Sequence, residues 1–449
     1  MPLFAPKTVA VVGASTKGTA LPNVFIRRIR EFGYEGAIYP IHPSASEIDG
    51  LPAYRSFADT PQPVDYAYIA IAAAQIPPLL SAAHGRVRFA QVISSGFGEV
   101  DEGKELQEQL AAAARAGGMR LLGPNCLGIY TPRGRVTFTE IGPREIGEVG
   151  IVSQSGGLGT DIIRRGLNRG LKFSGLITVG NCADISPVDM IEFYLADPQT
   201  RVIGMYIETA KDGRRLFETL RQARARKPVV VLKGGRTRQG QAATASHTGS
   251  LAGDERVWLA LSKQTGCAMV DTLDQFIDTL LIFQTLTPRS QHPTQRVVLF
   301  GNGGGASVLA TDFFARLGLD VSPFDQPAID ALAAMKLPPG TSITNPVDCP
   351  VGTLQQDDGR VAEKILDVIY DRGSPDALVM HLNLSAFVGR TKNEVLDNLV
   401  QVALRVQEHH PGKAHFVLVL RSDGEPKLED RKREFRAKAV GLGIPVYDE

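Results

Sequence analysis

Short apolar runs that end in a glycine turn, with helical stretches between them, constrain this fold more than any other feature. TVAVVGAS (8–15) is one such run, and the amphipathic stretch VFIRRIREF follows it; KPVVVLKGG (227–235) is another. Runs this short and this rich in β-branched residues are typical of strands that helices cover on both faces. The sequence therefore predicts an α/β fold of doubly wound parallel sheets, which bind ligands beyond the carboxyl ends of their strands.

The alternation divides the chain into three predicted α/β domains. The first covers 1–130, and the second covers 147–286 and opens with the run GEVGIVSQSGGLG. The polar segment TPRSQHPTQ (287–295) contains two prolines and is typical of a linker. A third domain over 296–449 follows it. FGNGGGASVLATD and TSITNPVD in this last part fit either ligand loops or packing turns.

The charge balance narrows the class of partner. Lys and Arg total 49 against 48 for Asp and Glu, which argues against a nucleic-acid or membrane-surface binder, because these usually carry a basic excess. We find no apolar run long enough to span a bilayer and no signal peptide, so we expect a cytoplasmic protein. The four cysteines form no CxxC pair, which disfavours a disulfide framework or a metal site and predicts buried, reduced thiols.

The turn after the first strand, VVGASTKG (11–18), is a candidate phosphate site. Its backbone amides and the helix that it opens could meet a phosphate. It departs from GxGxxG, and the second strand ends in YPIHP (39–43), without the acidic residue that NAD enzymes place there for the ribose. A simple NAD site is therefore disfavoured, and an ordinary tight turn is the open alternative.

A second candidate is VSQSGGLGTDI (152–162), where an apolar strand enters a Ser-Gln-Ser-Gly-Gly turn. The hydroxyls of Ser153 and Ser155, with the free amides of the helix start, could hold a dianionic phosphoryl group. Capping of the helix explains one serine but not the whole run. The pattern therefore favours anion binding.

Glu208 and His247 are the candidate reactive side chains. Glu208 follows an apolar strand, and a carboxylate at that edge could fix an imidazole through one ring nitrogen. His247 stands among small residues in TASHTGSLAG (244–253), which leave room for a phosphoryl group on a nucleophilic histidine. A solvated loop acid and an exposed loop histidine are the alternatives.

Together these stretches resemble the NDP-forming acyl-CoA synthetases, the superfamily of succinyl-CoA synthetase and the ADP-forming acetyl-CoA synthetases. VAVVGAS, YPIHP, SSGFGE and LLGPNCLGI are similar to its Rossmann-like CoA-binding domain. GIVSQSGGLG, Glu208 and SHTGSLAG resemble its flavodoxin-like ligase domain, and NGGGASVLATD with TNPVD resembles a third, also flavodoxin-like domain. The resemblance covers essentially the whole chain in the same order.

The resemblance implies roles for individual residues. His247 matches the histidine that is transiently phosphorylated, and Glu208 matches the glutamate that orients it. His42 stands where the family more often has asparagine. The matching phosphate-binding positions are Ser153, Gln154, Ser155, Gly156 and Gly157, and those of the CoA pocket are Gly13, Ala14, Ser15, Pro40, His42, Pro43, Pro124 and Asn125.

The family also implies an ATP-grasp module, and no part of this sequence is left to hold one. GNGGGAS is not a Walker loop, because no GK[ST] follows it. The resemblance therefore implies an α-type chain in a hetero-oligomer, with ATP or ADP and Mg²⁺ on a separate β-type subunit. The implied reaction joins a small carboxylic acid to CoA with ATP, through phosphohistidine and acyl phosphate, and gives acyl-CoA, ADP and phosphate.

Other functions remain open at this point. The first is a non-catalytic, regulatory CoA-binding protein, since some relatives carry this scaffold fused to an acetyltransferase and lack the histidine. His247 is present here and no acetyltransferase domain is visible. A nicotinamide-dependent dehydrogenase is a further alternative, and the missing acidic residue after the second strand counts against it.

Overall fold

The computed structural model describes residues 2–224, 226–248, 254–289, 292–387 and 394–449; the side chains of 245–248 and 394–395 lie outside the description. This described part forms two compact units. One comprises Met1–Leu167 with Leu171–Leu280, and the other Asn168–Gly170 with Leu281–Glu449. Among the described residues no helix has the length and apolar character needed to cross a membrane. The cellular location stays a prediction.

The first sheet is parallel, with the strand order β2-β1-β5-β6-β7. A short antiparallel pair, β3 with β4, follows β2 in the chain. The strands are β1 (Thr8–Val12), β2 (Ala37–Ile41), β3 (Glu47–Ile48), β4 (Leu51–Pro52), β5 (Val64–Ile69), β6 (Val87–Val92) and β7 (Arg120–Leu122), and the helices are α1 (Leu21–Glu31), α2 (Ile76–Ser81) and α3 (Lys104–Ala116), with 3₁₀ turns at Phe57–Asp59, Ala73–Gln75 and Asp101–Gly103.

The packing of this sheet follows from the apolar residues that it buries. All five residues of β1 are buried, as expected of a central strand between two helical layers. Helix α1 turns Phe25, Ile26 and Ile29 inward at helical spacing, and the ring of Phe25 stacks on Tyr68 of β5 with centroids 4.1 Å apart. The hydrophobic pattern that predicted this layer therefore also sets how it packs.

The second sheet has the order β14-β13-β12-β10-β11-β8-β9. Strands β10 to β14 are parallel to one another, while β8 pairs antiparallel with both β11 and β9 at the edge. The strands are β8 (Ile129–Thr131), β9 (Val136–Thr137), β10 (Val149–Ser153), β11 (Phe173–Thr178), β12 (Val202–Ile207), β13 (Val229–Lys233) and β14 (Ala268–Val270), and the helices are α4 (Gly156–Arg169), α5 (Pro187–Ala196), α6 (Gly213–Ala223), α7 (Arg238–Thr248), α8 (Glu255–Thr265) and α9 (Leu273–Thr285).

The third sheet belongs to the second unit and is parallel, with the order β16-β15-β17-β18-β19. Its core is a separate apolar cluster around Phe300 and Leu378. The strands are β15 (Val297–Asn302), β16 (Val347–Asp348), β17 (Ala377–Asn383), β18 (His415–Arg421) and β19 (Val446–Asp448), and the helices are α10 (Gly304–Arg316), α11 (Gln326–Ala334), α12 (Val351–Gln355), α13 (Arg360–Arg372), α14 (Glu394–His409) and α15 (Pro426–Gly441), with 3₁₀ turns at Gln356–Gly359 and Leu384–Ala386.

The predicted α/β fold with doubly wound parallel sheets is confirmed, and all four cysteines are buried and free, as predicted. The antiparallel strands β8 and β9 were not predicted. Strand β8 begins at Ile129, inside the stretch assigned to the first domain, yet it pairs with β11 of the second sheet. The division into domains over 1–130, 147–286 and 296–449 stays a prediction.

Candidate active site

A cavity of about 410 Å³ in the first unit brings the ends of two sheets together. Residues 125–127, which follow β7, line one side with Ile93 of the first sheet. The turn 154–157 between β10 and α4, and residues 180–181 after β11, line the other. Carboxyl ends of parallel strands therefore converge here, as expected of a ligand site in doubly wound sheets.

The turn between β10 and α4 presents backbone amides to this cavity. Helix α4 begins at Gly156, so the amides of Gly156 and Gly157 belong to a first turn that has no intrahelical acceptors. The Ser155 hydroxyl accepts from the amide of Leu158 at 3.3 Å and caps the helix. Such a helix start attracts anions through its amides and its dipole.

Ser153 shapes the turn. Its side chain is fully buried, and its hydroxyl donates to the carbonyl of Ser155 at 2.7 Å and accepts from the Ser155 amide at 3.2 Å. The hydroxyl therefore holds the backbone of the turn in place, and phosphate binding at Ser153 stays a prediction.

The two glycines of the turn are there for different reasons. A Cβ at Gly156 would lie 2.7 Å from Cγ of Leu127, so a side chain at this position is excluded by packing. A Cβ at Gly157 would meet no atom within 4 Å among the described residues. Packing thus requires the first glycine, whereas the second leaves open space over the helix start.

Gln154, predicted to bind phosphate, uses its side chain to join the turn to the end of β12. Its Oε1 accepts from the amides of Glu208 and Thr209, the latter at 3.0 Å, and its Nε2 donates to the carbonyl of Thr209 at 3.1 Å. Its own amide donates to the carbonyl of Tyr206 at 3.2 Å. The polar groups of Gln154 thus fix the position of Glu208 relative to the turn, and phosphate binding by Gln154 stays a prediction.

Glu208 lies directly after β12 and is only 4% exposed. The Tyr206 hydroxyl donates to Glu208 Oε1 at 3.0 Å, and the ammonium of Lys233, from the neighbouring β13, donates to the carbonyl of Glu208 at 2.8 Å. Burial, aided by the Glu208 carboxylate, raises the pKa of Tyr206, so its hydroxyl stays a donor. The glutamate predicted from the sequence is thus a held, buried carboxylate and not a solvated loop acid.

His247 is the penultimate residue of α7, the helix that follows the turn after β13. Its backbone is helical, which the small residues around it did not predict. Its side chain lies outside the described residues, so the pairing of His247 with Glu208 stays a prediction. The chain leaves β13 beside the end of β12, because these strands are neighbours and a Cβ at Gly234 would lie 3.4 Å from Cγ of Glu208.

The predicted CoA pocket includes the turn at Gly13, whose backbone has a φ of +97°. A Cβ at Gly13 would lie 2.3 Å from the carbonyl oxygen of Ala70. The buried Asn23 of α1 holds the next residues: it accepts from the Ser15 amide at 2.8 Å and donates to the Ser15 carbonyl at 3.0 Å. Ala14 is buried beside it. Asn23 was missed by sequence reasoning, although a polar residue on the apolar face of α1 was a signal.

The other predicted CoA residues fall in two places. Pro40 lies within β2, and His42 and Pro43 follow that strand. The Nδ1 of His42 accepts from the amides of Ala45 at 2.9 Å and Ser44 at 3.2 Å. An asparagine side-chain oxygen can accept local amides in the same way, so the imidazole can replace the family's more common residue without opening the turn.

Asn125 lines the cavity, and Pro124 precedes it in the chain. The Asn181 amide donates to the carbonyl of Pro124 at 3.0 Å, and the side chain of Asn125 donates to Oδ1 of Asn181 at 3.4 Å. The Nδ2 of Asn181 also donates to Gln107 at 2.9 Å. Asn181 therefore ties the two sheets together at the cavity, and a single asparagine in a loop gave no signal of this in the sequence.

Comparisons with known proteins agree with this arrangement. Residues 7–132 match the family model described as a CoA binding domain, and residues 146–283 match the succinyl-CoA ligase like flavodoxin domain. The chain is 32% identical over 448 residues to the alpha subunit of acetate–CoA ligase [ADP-forming] II of Pyrococcus furiosus, covering 99% of this chain and 93% of that one. The chain belongs to the ADP-forming acyl-CoA synthetase family.

Further similarities within the ADP-forming acyl-CoA synthetases support the same conclusion. The alpha subunit of acetate–CoA ligase [ADP-forming] I of Pyrococcus furiosus is 39% identical over 356 residues, which cover 77% of this chain and 75% of that one. An acetyl-coenzyme A synthetase of Ca. Korarchaeum cryptofilum, solved with phosphate and ADP, superposes with a TM-score of 0.84 at 30% identity and covers 99% of this chain and 92% of its own. The family consists of acid–thiol ligases that use CoA and a nucleotide, and these matches favour a catalytic protein over the regulatory alternative.

Proposed function

We propose that this chain is the α-type subunit of an ADP-forming acyl-CoA synthetase that carries a phosphoryl group on His247. The observation that supports this most is a glycine-rich helix start that lines the cavity and is joined, through the side chain of Gln154, to the buried Glu208. A helix start for the phosphate and a carboxylate for the imidazole are what a phosphohistidine needs. Neither a regulatory CoA-binding protein nor a dehydrogenase requires this combination.

In the proposed reaction, Nε2 or Nδ1 of His247 attacks the terminal phosphorus of ATP, and ADP leaves. Glu208, held by Tyr206, accepts a hydrogen bond from the other ring nitrogen and keeps the attacking nitrogen unprotonated. The amides of Gly156 and Gly157 meet the charge on the transferred phosphoryl oxygens. The chain thus supplies a nucleophile, the group that orients it, and donors that are already in place.

The second half of the reaction uses the phosphoryl group to activate the acid. A carboxylate oxygen of the substrate attacks phosphorus, the P–N bond to His247 breaks, and an acyl phosphate forms. The sulfur of CoA then attacks the acyl carbon, the C–O bond to phosphate breaks, and the thiol proton goes to solvent. A carboxylate is a poor acyl donor and an acyl phosphate is a good one, so the relay replaces one difficult step by easier ones.

We infer that CoA enters along the first sheet, past Gly13, Ala14 and Ser15, with Pro40, His42, Pro43, Pro124 and Asn125 along its path. The support is that residues 7–132, which include all of these positions, match the family model described as a CoA binding domain. Asn125 and the cavity beside it lie where the thiol end would reach the phosphoryl group.

We further propose a β-type ATP-grasp subunit as the partner, in a hetero-oligomer that binds ATP or ADP with Mg²⁺. The support is the match over nearly the whole chain to a protein named as an alpha subunit. A small carboxylic acid is the proposed second substrate. The site described here then receives a phosphoryl group that originates on the partner.

Phosphohistidine formation tests this proposal. We would purify the chain with its partner, add γ-labelled ATP and Mg²⁺, and map the label under alkaline conditions. The expected result is label on the wild-type chain that CoA and a carboxylic acid discharge together, and none on the variant His247→Ala. The exposed His409 on α14 provides the matched control, since His409→Ala is expected to be labelled like the wild type. An unlabelled wild-type chain beside an active partner would contradict the proposal.

A further inference from the structure

Lys233 is a buried cation next to the proposed site that the reaction above does not use. It is the last residue of β13 and is only 4% exposed. Its ammonium donates to the carbonyl of Glu208 at 2.8 Å and also to the carbonyl of Gly234. A buried lysine that bonds two backbone carbonyls at the end of a sheet is unusual, because burial of an ammonium costs free energy unless the charge is compensated.

The compensation comes from a second element. The ammonium lies 5.3 Å from the ring centroid of Trp258 on α8, within the range of a cation–π interaction. Trp258 is itself buried. Lys233 therefore connects three pieces of structure: the end of β12 that carries Glu208, the end of β13 from which the chain enters α7, and α8, which follows α7 in the chain.

The other charged and titratable groups around Lys233 are few among the described residues. The carboxylate of Glu208 and the hydroxyl of Tyr206 face it from β12, and Arg236 faces it from the turn after β13. Arg236 is paired with Glu255 of α8 and with Asp271. Burial, together with Arg236, lowers the pKa of Lys233 to about 8, against an opposing effect of Glu208.

Resting on the function proposed above, we propose that Lys233 is a positioning residue whose positive charge holds the Glu208 end of β12 against α8 while His247 is phosphorylated. A charged donor makes the stronger hydrogen bond to the Glu208 carbonyl, and the attraction to Trp258 requires the charge. Loss of the proton weakens both contacts at once. The backbone of Glu208 then loses one of the contacts that fix it, and only those with Gln154 and Tyr206 remain among the contacts described above.

The effects of pH on activity and on stability have opposite signs for this residue. Because the charged form positions Glu208, phosphorylation is expected to slow as pH rises through about 8. The pKa of Lys233 is lower in the folded chain than in the unfolded chain, so its burial destabilises the fold most below that pH. This destabilisation is relieved as pH rises further towards the value of a free lysine. An alkaline loss of activity caused by Lys233 is therefore not a loss of fold.

The experiment measures the rate of phosphohistidine formation between pH 6.5 and 9.5, with the chain and its partner together. Lys233→Met keeps the apolar stem over Trp258 but removes the charge. Its rate is expected to fall by on the order of 10- to 100-fold, as for a catalytic group misplaced by about 1 Å. It is also expected to lose the alkaline limb, which is the fall in the wild-type rate above about pH 8. Lys233→Arg keeps the charge at all these pH values, so its rate is expected to stay level above pH 8. Lys263→Met, on the exposed face of α8, is the control and should follow the wild type.

The outcomes separate this inference from the function on which it rests. If the wild-type chain forms no phosphohistidine with an active partner, the proposed function fails. If it does, and Lys233→Met keeps both the wild-type rate and the alkaline limb, the positioning role of Lys233 is overturned. The thermal unfolding of each variant is measured beside its rates. If Lys233→Arg does not fold, the pH dependence of the Lys233→Met rate above pH 8 decides the question by itself.

Discussion

The two glycine-rich turns of the first unit look alike in sequence and differ in what they do. At Gly13 the helix begins only at Leu21, and the loop between them is fastened by the buried Asn23. At the second turn α4 begins at once with Gly156, and Gly157 faces open space. Gly13 is required because Ala70, the residue after β5, lies against it, whereas Gly157 leaves open space at the start of α4.

The difference teaches that a glycine motif by itself does not indicate phosphate binding. At Gly13 the backbone has a positive φ and lies against the carbonyl of Ala70, so the constraint is internal to the fold. At Gly157 no such constraint exists among the described atoms. Three substitutions separate the two cases and are taken in order of their expected effect on the free energy of unfolding; Gly85→Ala serves as the control for the first of them.

The largest effect is expected for Gly13→Ala. Its Cβ would lie 2.3 Å from the carbonyl oxygen of Ala70 at a φ of +97°. Ala70 directly follows the central strand β5 and its amide donates to Val12 of β1, so its backbone cannot move away without disturbing the sheet. We expect a loss of about 3 kcal/mol or more in the free energy of unfolding, measured by urea denaturation.

Gly85→Ala isolates the conformational part of this loss. Gly85 also has a positive φ, +76°, but its Cβ would meet no described atom within 4 Å. Its loss is expected to stay near 1 kcal/mol, the usual effect of a left-handed backbone on alanine. Equal losses at Gly13 and Gly85 would show that contact with Ala70 does not matter.

An intermediate effect is expected for Asn23→Ala, which removes the hydrogen bonds that hold the first turn but leaves Gly13 unchanged. The substitution removes three hydrogen bonds of a fully buried amide, two to Ser15 and one to Asp49. We expect a loss of about 2 kcal/mol in the free energy of unfolding, because buried partners are left unsatisfied. Titration calorimetry should also show weaker binding of CoA, while phosphohistidine formation from ATP stays at the wild-type level. An unchanged affinity for CoA would show that this loop is not part of the CoA pocket.

The smallest effect on stability and the clearest one on activity are expected for Gly157→Ala. The added methyl group fits, so the free energy of unfolding should change by about 0.5 kcal/mol or less. The methyl group occupies the space proposed for the phosphoryl group, so labelling of His247 should fall. A variant labelled at the wild-type rate would argue that the phosphoryl group binds elsewhere.

Much of the fold followed from the sequence, because strands and turns carry local signals. The β-branched run at β1 and the apolar run of β10 predicted their strands, and the positions of Glu208 and of the turn 153–157 at strand ends followed from them. Strand β8 was missed because three residues at an antiparallel edge give no periodic pattern. The helical state of His247 was missed because its neighbours are small.

What sequence alone could not give was the partner of each polar side chain. Gln154 looked like a phosphate ligand beside its glycines, yet it bonds to Thr209, 55 residues away in the chain. Lys233 looked like the end of a strand, yet it bonds to the residue that carries the proposed orienting carboxylate. Both contacts exist because β12 lies between β10 and β13.

By itself, then, the sequence determined the class of fold, the order of its elements and the places where ligands could bind, since hydrophobic periodicity and turn residues act over a few positions. Only the tertiary structure decided which partners the polar groups take. A hydroxyl or an amide has few hydrogen bonds to make, and the partners packed against it fix where they go: to the turn itself at Ser153, and to the residues after β12 at Gln154.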